Sequence, residues 1–151
     1  MSVIIREASQ IDAPTAKACV AASFDLYTER IGKLPAPMLL DFAAEIEAKR
    51  VWVAEANGNV VGVLVQYETE QGFYIDTVAV APHHQGSGVG KALLQFAEQE
   101  ALRCGYDSIY LCTNAKMTEN QIFYPRIGYV EYDRKLDEGY DRIFYRKSLG
   151  S

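Results

Sequence analysis

The segment "VAVAPHHQGSGVGKALLQFAEQEAL", residues Val78 to Leu102, constrains this chain most. A β-branched run ends at Pro82 and two histidines follow. Gly86, Gly88 and Gly90 then alternate with single residues, and an amphipathic helical pattern begins at once. Residues without a side chain let consecutive backbone N–H groups converge on a guest, and the helix behind them adds its positive end. Phosphate is the usual guest. A Walker A loop requires G-x-x-x-x-G-K-[ST]. With Gly90 and Lys91 as the G-K pair, the outer positions are Gln85 and Ala92, so nucleotide hydrolysis is disfavoured. The Rossmann fingerprint requires G-x-G-x-x-G, whereas the spacing here is G-x-G-x-G. It also falls in mid-chain, with no acidic residue closing a second strand at the expected distance.

The flanking sequence predicts where that loop sits. "VIIREA" (Val3 to Ala8) reads as a short strand. From Ala13 to about Ile31, Ala16, Cys19, Val20, Phe24 and Tyr27 form one apolar stripe, so a helix. "GKLPAPM" interrupts it with Gly32, Pro35 and Pro37, and "LLDFAAEIEAKR" resumes as a second helix. "VWVAEA" (Val51 to Ala56) and "VVGVLVQYE" (Val60 to Glu68) are strands joined by the hairpin turn "NGN". "ETEQG" turns the chain into the strand "FYIDTVAVA" (Phe73 to Ala81). The helix from about Ser87 to Cys104 stops at Gly105, and "SIYLCTN" is a further strand. "TENQIFYPRIG" offers a capping box, with Thr118 as N-cap and Gln121 three residues on. Pro125 keeps that helix short or kinked near Tyr124. "YVEYDRK" and "DRIFYRKSL" close the chain as a hairpin around "LDEGY". The order β-α-α-β-β-β-α-β-α-β-β predicts a mixed α/β sheet.

At 151 residues the chain is expected to be one domain, residues 1–151, with enough buried surface for a core without staples. Three cysteines, Cys19, Cys104 and Cys112, form no C-x-x-C pair, so neither a disulfide framework nor structural zinc is expected. That usage fits a reducing cytoplasm. "MSVIIREASQIDA" has no signal-peptide pattern, and no stretch approaches the ~18 apolar residues of a membrane span. The net charge of −5 carries no basic surplus or stripe for nucleic acid. It suits a cationic small molecule or peptide, although charge speaks to steering rather than identity.

One pattern does match the glycine loop: Q-x-x-G-x-G at Gln85, Gly88 and Gly90, preceded by Val80-x-Pro82 and followed by "KALL". It resembles motif A of the GNAT N-acetyltransferase superfamily, where the loop cradles the pyrophosphate of acetyl-coenzyme A. "ENQIFYPRIGY" is similar to the family's N-x-x-x-(F)-Y-x-x-x-G-[FY] segment, and the two motifs stand in the family's order. The resemblance spans roughly Val3 to Leu149, carried by residues 78–94 and 118–129. It implies a GNAT fold, an α/β (α+β) domain. Its central sheet has six to seven mostly antiparallel strands, splayed between the fourth and fifth, flanked by about four helices. It also implies acetyl-CoA as co-substrate, no metal, and acetyl transfer to a primary amine of a small molecule or peptide by direct attack in a ternary complex. A homodimer is possible, since many relatives pair. The alternatives are a non-catalytic acyl-CoA sensor on the same fold and, remotely, a nucleotide-binding module of another family.

The resemblance also assigns residues. Gln85, Gly86, Ser87, Gly88, Val89, Gly90 and Lys91 would supply the phosphate cradle, with charge from Lys91 and Arg126 unless these are only solvated cations. Val78 and Val80 would bind the pantetheine arm through backbone groups, and the Val80 amide would polarise the thioester carbonyl. Asn120 would hydrogen-bond the pantetheine. Tyr124 stands where the family's acid tyrosine stands, and a phenol of pKa ~10 suits protonation of a leaving thiolate. For the base, strand alternation gives Asp76 the parity of Tyr74, Val78 and Val80, with Thr77 and Ala79 on the other side. Glu68, Glu70, Glu119 and a water chain compete with it. His83 and His84 are read as turn-lining or solvated rather than metal ligands, and Cys112 as packing rather than an acetyl carrier. The segment Arg30 to Met38, with Tyr27, either borders the acceptor or is a plain helix–helix turn.

Overall fold

Strand and helix periods alternate along the chain as expected, and a computed structural model shows all eleven elements in that order. Residues 3–150 are described; Met1, Ser2 and Ser151, the ends of the expected domain, lie outside them. The strands are β1 (Ile4–Glu7), β2 (Val51–Ala56), β3 (Asn59–Thr69), β4 (Gly72–Val80), β5 (Ser108–Asn114), β6 (Val130–Asp137) and β7 (Tyr140–Ser148). The helices are α1 (Ala13–Ile31), α2 (Phe42–Glu47), α3 (Val89–Arg103) and α4 (Thr118–Arg126). Short 3-10 turns occupy Gln10–Asp12, Ala36–Leu39 and Pro82–His84. The seven strands make one mostly antiparallel sheet in the order β1-β2-β3-β4-β5-β7-β6, with β4 and β5 parallel.

Three helix starts differ from expectation, each for a local reason. The second helix begins at Phe42 rather than Leu39, because Leu40 is extended and the Asp41 carboxylate accepts from the Ala44 amide at 3.1 Å. The third begins at Val89 rather than Ser87, because Gly88 takes a left-handed φ of 93° that no helical residue adopts. The expected capping box at Thr118 does not form. Met117 stands at that N-cap without a side-chain cap bond, and Gln121 donates instead to the Ala115 carbonyl at 2.9 Å.

The chain divides into two compact units, Met1–Gln66 with Asp76–Ala97, and Tyr67–Ile75 with Glu98–Ser151. In the first, α1 buries Ala16, Cys19 and Val20, while Phe24 and Tyr27 on the same stripe stay half-buried. The β2–β3 hairpin closes through Asn57 and Gly58, both at positive φ (53° and 80°), as an Asn-Gly turn permits. Its register, Val53↔Val63 and Ala54↔Gly62, lays a continuous apolar surface. Val53, Val63, Leu64 and Leu93 are fully buried, each contributing about 2 kcal/mol. Gly62 lets α3 lie close: a Cβ there would come within 2.9 Å of both Leu93 and Val89. At the β1 end Arg6 donates to Asp12 (2.8 and 3.0 Å) and to Glu55 (2.8 Å). The bonds from Arg6, with one from the Ser9 amide, hold the buried Asp12 carboxyl at about 2, well below its ordinary value.

In the second unit β5 and β7 pair from Ser108↔Ser148 to Asn114↔Arg142, and β6 pairs β7 with a bulge between Glu131 and Asp133. β4 and β5 share the register Phe73↔Ile109, Tyr74↔Tyr110, Ile75↔Leu111. One face of β5–β7 packs aromatic rings: Tyr124 of α4 lies 5.5 Å from Tyr129 and 5.9 Å from Tyr145. Burial beside Glu98 pushes the Tyr129 phenol far above its ordinary range, and Lys147 pairs with the same Glu98 at 3.1 Å.

Candidate active site

The first unit holds the strand–loop–helix segment. Along β4, Thr77 and Ala79 are buried while Asp76, Val78 and Val80 are half-buried, which is the expected alternation. After Val80 the chain makes the 3-10 turn Pro82–His84 and enters an exposed stretch, Gln85 to Gly88. The Gln85 side chain folds back and donates to the Val80 carbonyl at 3.2 Å, tying the loop to the strand end. The Ser87 hydroxyl donates to the His84 carbonyl. His83 is exposed, whereas Nδ1 of the half-buried His84 is enclosed and has no hydrogen-bond partner among the described residues.

The three glycines divide their work. Gly86 and Gly88 sit at φ 83° and 93°, and a Cβ on either would meet no atom within 4 Å. They are there for backbone direction, which an L-residue adopts only at a cost. A Cβ on Gly90 would touch Val80 Cγ2 at 3.5 Å, an ordinary contact. The first helical bond of α3 runs from the Ala92 amide to the Gly88 carbonyl at 3.0 Å. The amides of Val89, Gly90 and Lys91 precede it and have no intrahelical acceptor. Among the described residues the loop therefore combines open space with a row of donors at a helix N-terminus, and these fit a diphosphate. Lys91 is exposed nearby along the helix.

The second unit holds Asn120 and Tyr124 on one helix. Asn120 Nδ2 donates to Thr113 Oγ1 at 2.9 Å and lies 3.7 Å from Met117 Sδ, anchoring α4 to β5. Tyr124 is half-buried against Phe123, Tyr129 and Tyr145. The Tyr124 carbonyl accepts from the amides of Ile127 and Tyr129, at 3.2 and 3.0 Å, which ends the helix just after Pro125. Arg126 is exposed.

Of the four carboxylates considered as base, Asp76 is the half-buried one, and its Oδ1 accepts from the Thr77 hydroxyl at 2.9 Å. Glu68, Glu70 and Glu119 are exposed; Glu68 is engaged by the Tyr106 hydroxyl and Glu119 by Thr118 at 3.4 Å. Cys112 is half-buried with the Tyr74 hydroxyl 3.2 Å from its sulfur. No group of three His, Cys, Asp or Glu side chains among the described residues is placed to hold a metal ion. No helix of the described residues is long and apolar enough to cross a membrane.

Sequence reasoning missed Arg142. The sequence marks it only as part of a closing strand, although the alternation Arg142, Phe144, Arg146 in "DRIFYRKSL" puts two arginines on one strand face. It also missed the Gln85 clasp on Val80, for which no sequence pattern exists.

A parallel β4–β5 pair, a glycine loop opening α3 and a tyrosine-bearing helix after β5 are the features that the sequence resemblance implies. The chain belongs to the GNAT acetyltransferase family: the family described as "Acetyltransferase (GNAT) domain" matches residues 47–131, more than half of the 151 residues. Among solved structures it is similar to the PaiA N-acetyltransferase of Thermoplasma acidophilum, solved in complex with coenzyme A. The TM-score is 0.78 and the identity 18%, over 98% of this chain and 99% of that one. An N-acetyltransferase of Staphylococcus aureus Mu50 matches with TM-score 0.76 and 20% identity, over 99% and 100% of the two chains. A curated relative, the aminoalkylphosphonate N-acetyltransferase of Salmonella typhimurium, is 34% identical over 83 residues, 51% of this chain and 54% of that protein. The chain thus spans about half the length of that relative.

Proposed function

We propose that this chain is an N-acetyltransferase that takes acetyl-CoA as donor and a primary amine of a small molecule or peptide as acceptor, by direct attack in a ternary complex. The observation that carries the reading is the Gly86–Lys91 segment: two left-handed glycines in open space lead into helix amides without intrahelical acceptors, in a chain of the GNAT family. Such donors at a helix N-terminus suit an anion, and the coenzyme of this family carries a diphosphate. The PaiA relative was solved with coenzyme A, and the Salmonella relative is named for an aminoalkylphosphonate, a small amine.

In this reading Gln85, Gly86, Ser87, Gly88, Val89, Gly90 and Lys91 form the cradle, with Gln85 acting through its clasp on Val80. Backbone groups of Val78 and Val80 hold the pantetheine arm. The carbonyl oxygen of Asn120, whose amide nitrogen is already given to Thr113, is left to accept from a pantetheine amide. When bound, acetyl-CoA supplies an acetyl group activated as a thioester. The Val80 amide donates to the thioester carbonyl, an interaction worth about 3 kcal/mol when preorganised. Asp76 accepts the proton of the incoming amine, which at pKa ~10.4 is neutral only about once in 2,500 molecules at pH 7. Tyr124 donates its phenolic proton to the departing sulfur.

The test is thiol release from acetyl-CoA over an amine panel, with Tyr124→Phe as the diagnostic variant. Turnover should fall by about 10²–10⁴-fold with coenzyme A binding unchanged. Firm coenzyme A binding with no turnover on any acceptor would instead identify a sensor.

A further inference from the structure

What the acceptor carries besides its amine is a separate question, and it rests on the acetyltransferase reading. The register Asn114↔Arg142, Cys112↔Phe144, Tyr110↔Arg146, with Tyr74↔Tyr110 on β4, puts Tyr74, Cys112 and Arg142 on one sheet face. Tyr124 packs on the other face, against Tyr145. A group that protonates the leaving sulfur from one face leaves the opposite face for the amine.

Arg142 is the under-used cation of that face. Its side chain is only 14% exposed, so most of its hydration is gone. Nη1 bonds Asp137 at 2.9 Å and lies 3.5 Å from Glu138, on a hairpin turn where the Glu138 side chain is 79% exposed and screened by water. The guanidinium lies over the Tyr140 ring at 5.6 Å, and among the described residues Nε and Nη2 make no hydrogen bond, so the N–H donors of the outer fork remain available. Burial works against its charge and the hydrogen bond to Asp137 supports it, and a guanidinium in any case stays a cation at working pH. Tyr74 lies on the same sheet face, its ring 4.8 Å from that of Tyr110 and edge-on to that of Tyr67 at 5.6 Å. Arg146, on the same face, differs: its guanidinium is spent on Ser108 and the Gln71 carbonyl and lies over the Tyr110 ring at 4.9 Å.

We propose that the acceptor is a small amine bearing an oxyanion, a carboxylate or a phosphonate, which docks on the free edge of Arg142 beside the Tyr74 hydroxyl. A planar fork with free N–H donors binds such an oxyanion bidentately, and partial burial strengthens that pairing. An acceptor without the anion leaves these donors desolvated and unpaired, which selects against polyamines and uncharged amines.

The experiment compares kcat/KM for thiol release with β-alanine, aminoethylphosphonate and ethanolamine, which share a primary amine and differ at the far end. The wild-type protein should prefer the better of the two anionic amines over ethanolamine by about tenfold or more, and the ratio between the two anions says which oxyanion is recognised. Arg142→Gln should bring the preference close to one while ethanolamine turnover and coenzyme A binding hold. Arg142→Lys, which keeps charge without the fork, should fall between. Equal or better use of ethanolamine by the wild-type protein overturns the proposal, even if the variants fail to fold. So does an Arg142→Gln variant that slows all three amines alike. Absence of thiol release with every amine, despite coenzyme A binding, overturns the acetyltransferase reading itself.

Discussion

Replacing Gly88 by alanine separates the cost of the loop's shape from the use of that shape. Gly88 has φ 93°, and a Cβ there would meet nothing within 4 Å. The substitution therefore causes no collision; it only forces an L-residue into a left-handed conformation, at about 1–2 kcal/mol. In a chain of this length that lowers the melting temperature by about 3–6 °C. The strain is relieved by turning the neighbouring peptide, which swings the amides of Gly88 and Val89 off the cradle. Each charge-assisted amide bond lost costs about 1.5 kcal/mol or more, so coenzyme A should bind about tenfold more weakly or worse. Gly32→Ala is the matched control. Gly32 caps α1 at φ 90°, again with nothing within 4 Å of a Cβ, so it bears the same backbone cost away from the loop. Differential scanning fluorimetry reads the first effect and calorimetric titration with coenzyme A the second. Should Gly88→Ala lose the same stability as Gly32→Ala yet bind coenzyme A like the wild type, the amides of the loop are not what holds the diphosphate.

Three further outcomes concern the scaffold. Asp12→Asn removes a carboxylate that Arg6 holds at about 2, and should cost about 2 kcal/mol in urea denaturation after allowing for solvent at Arg6. Because the folded value lies below the unfolded one, that stability is complete above about pH 4 and drains away as the pH falls through about 2; a variant as stable as the wild type at pH 7 would contradict the pairing. Burial pushes the Cys19 thiol up to about 11, while Cys104 is exposed. At pH 8 an aromatic disulfide reagent should modify Cys104 quickly and Cys19 only on unfolding, since about one Cys19 in a thousand is thiolate; rapid labelling of Cys19 would show the α1 packing to be wrong. Gln66 is 2% exposed and, among the described residues, neither side-chain polar atom has a partner, so Gln66→Met should stabilise the chain by about 1 kcal/mol. A lower melting temperature in that variant would reveal a hidden partner for the amide.

The elements were legible in the sequence because each depends on neighbours in the chain. The Asn57-Gly58 turn, the stop of α3 at Gly105, the truncation of α4 at Pro125 and the β4 alternation are all short-range chemistry. The helix starts were read less well. Thr118 looks like an N-cap by residue type, but Asn120 and Gln121 are drawn back to Thr113 and Ala115, partners that no pattern around residue 118 announces. The net charge of −5 pointed toward a cationic acceptor, whereas the half-buried cation of the sheet face, Arg142, argues for an acceptor with an anion of its own.

By itself the sequence determined the order of strands and helices, the backbone freedom of the loop between Val80 and Val89, and the family. Only the tertiary structure decided which side chains meet. Tyr74, Cys112 and Arg142 lie 38 and 30 residues apart along the chain and come together because β4 pairs β5 in parallel and β5 pairs β7 in one particular register. Register between distant strands is chosen by the packing of whole faces, since a slip of one residue would turn every side chain to the opposite side. That choice leaves no local trace in the sequence.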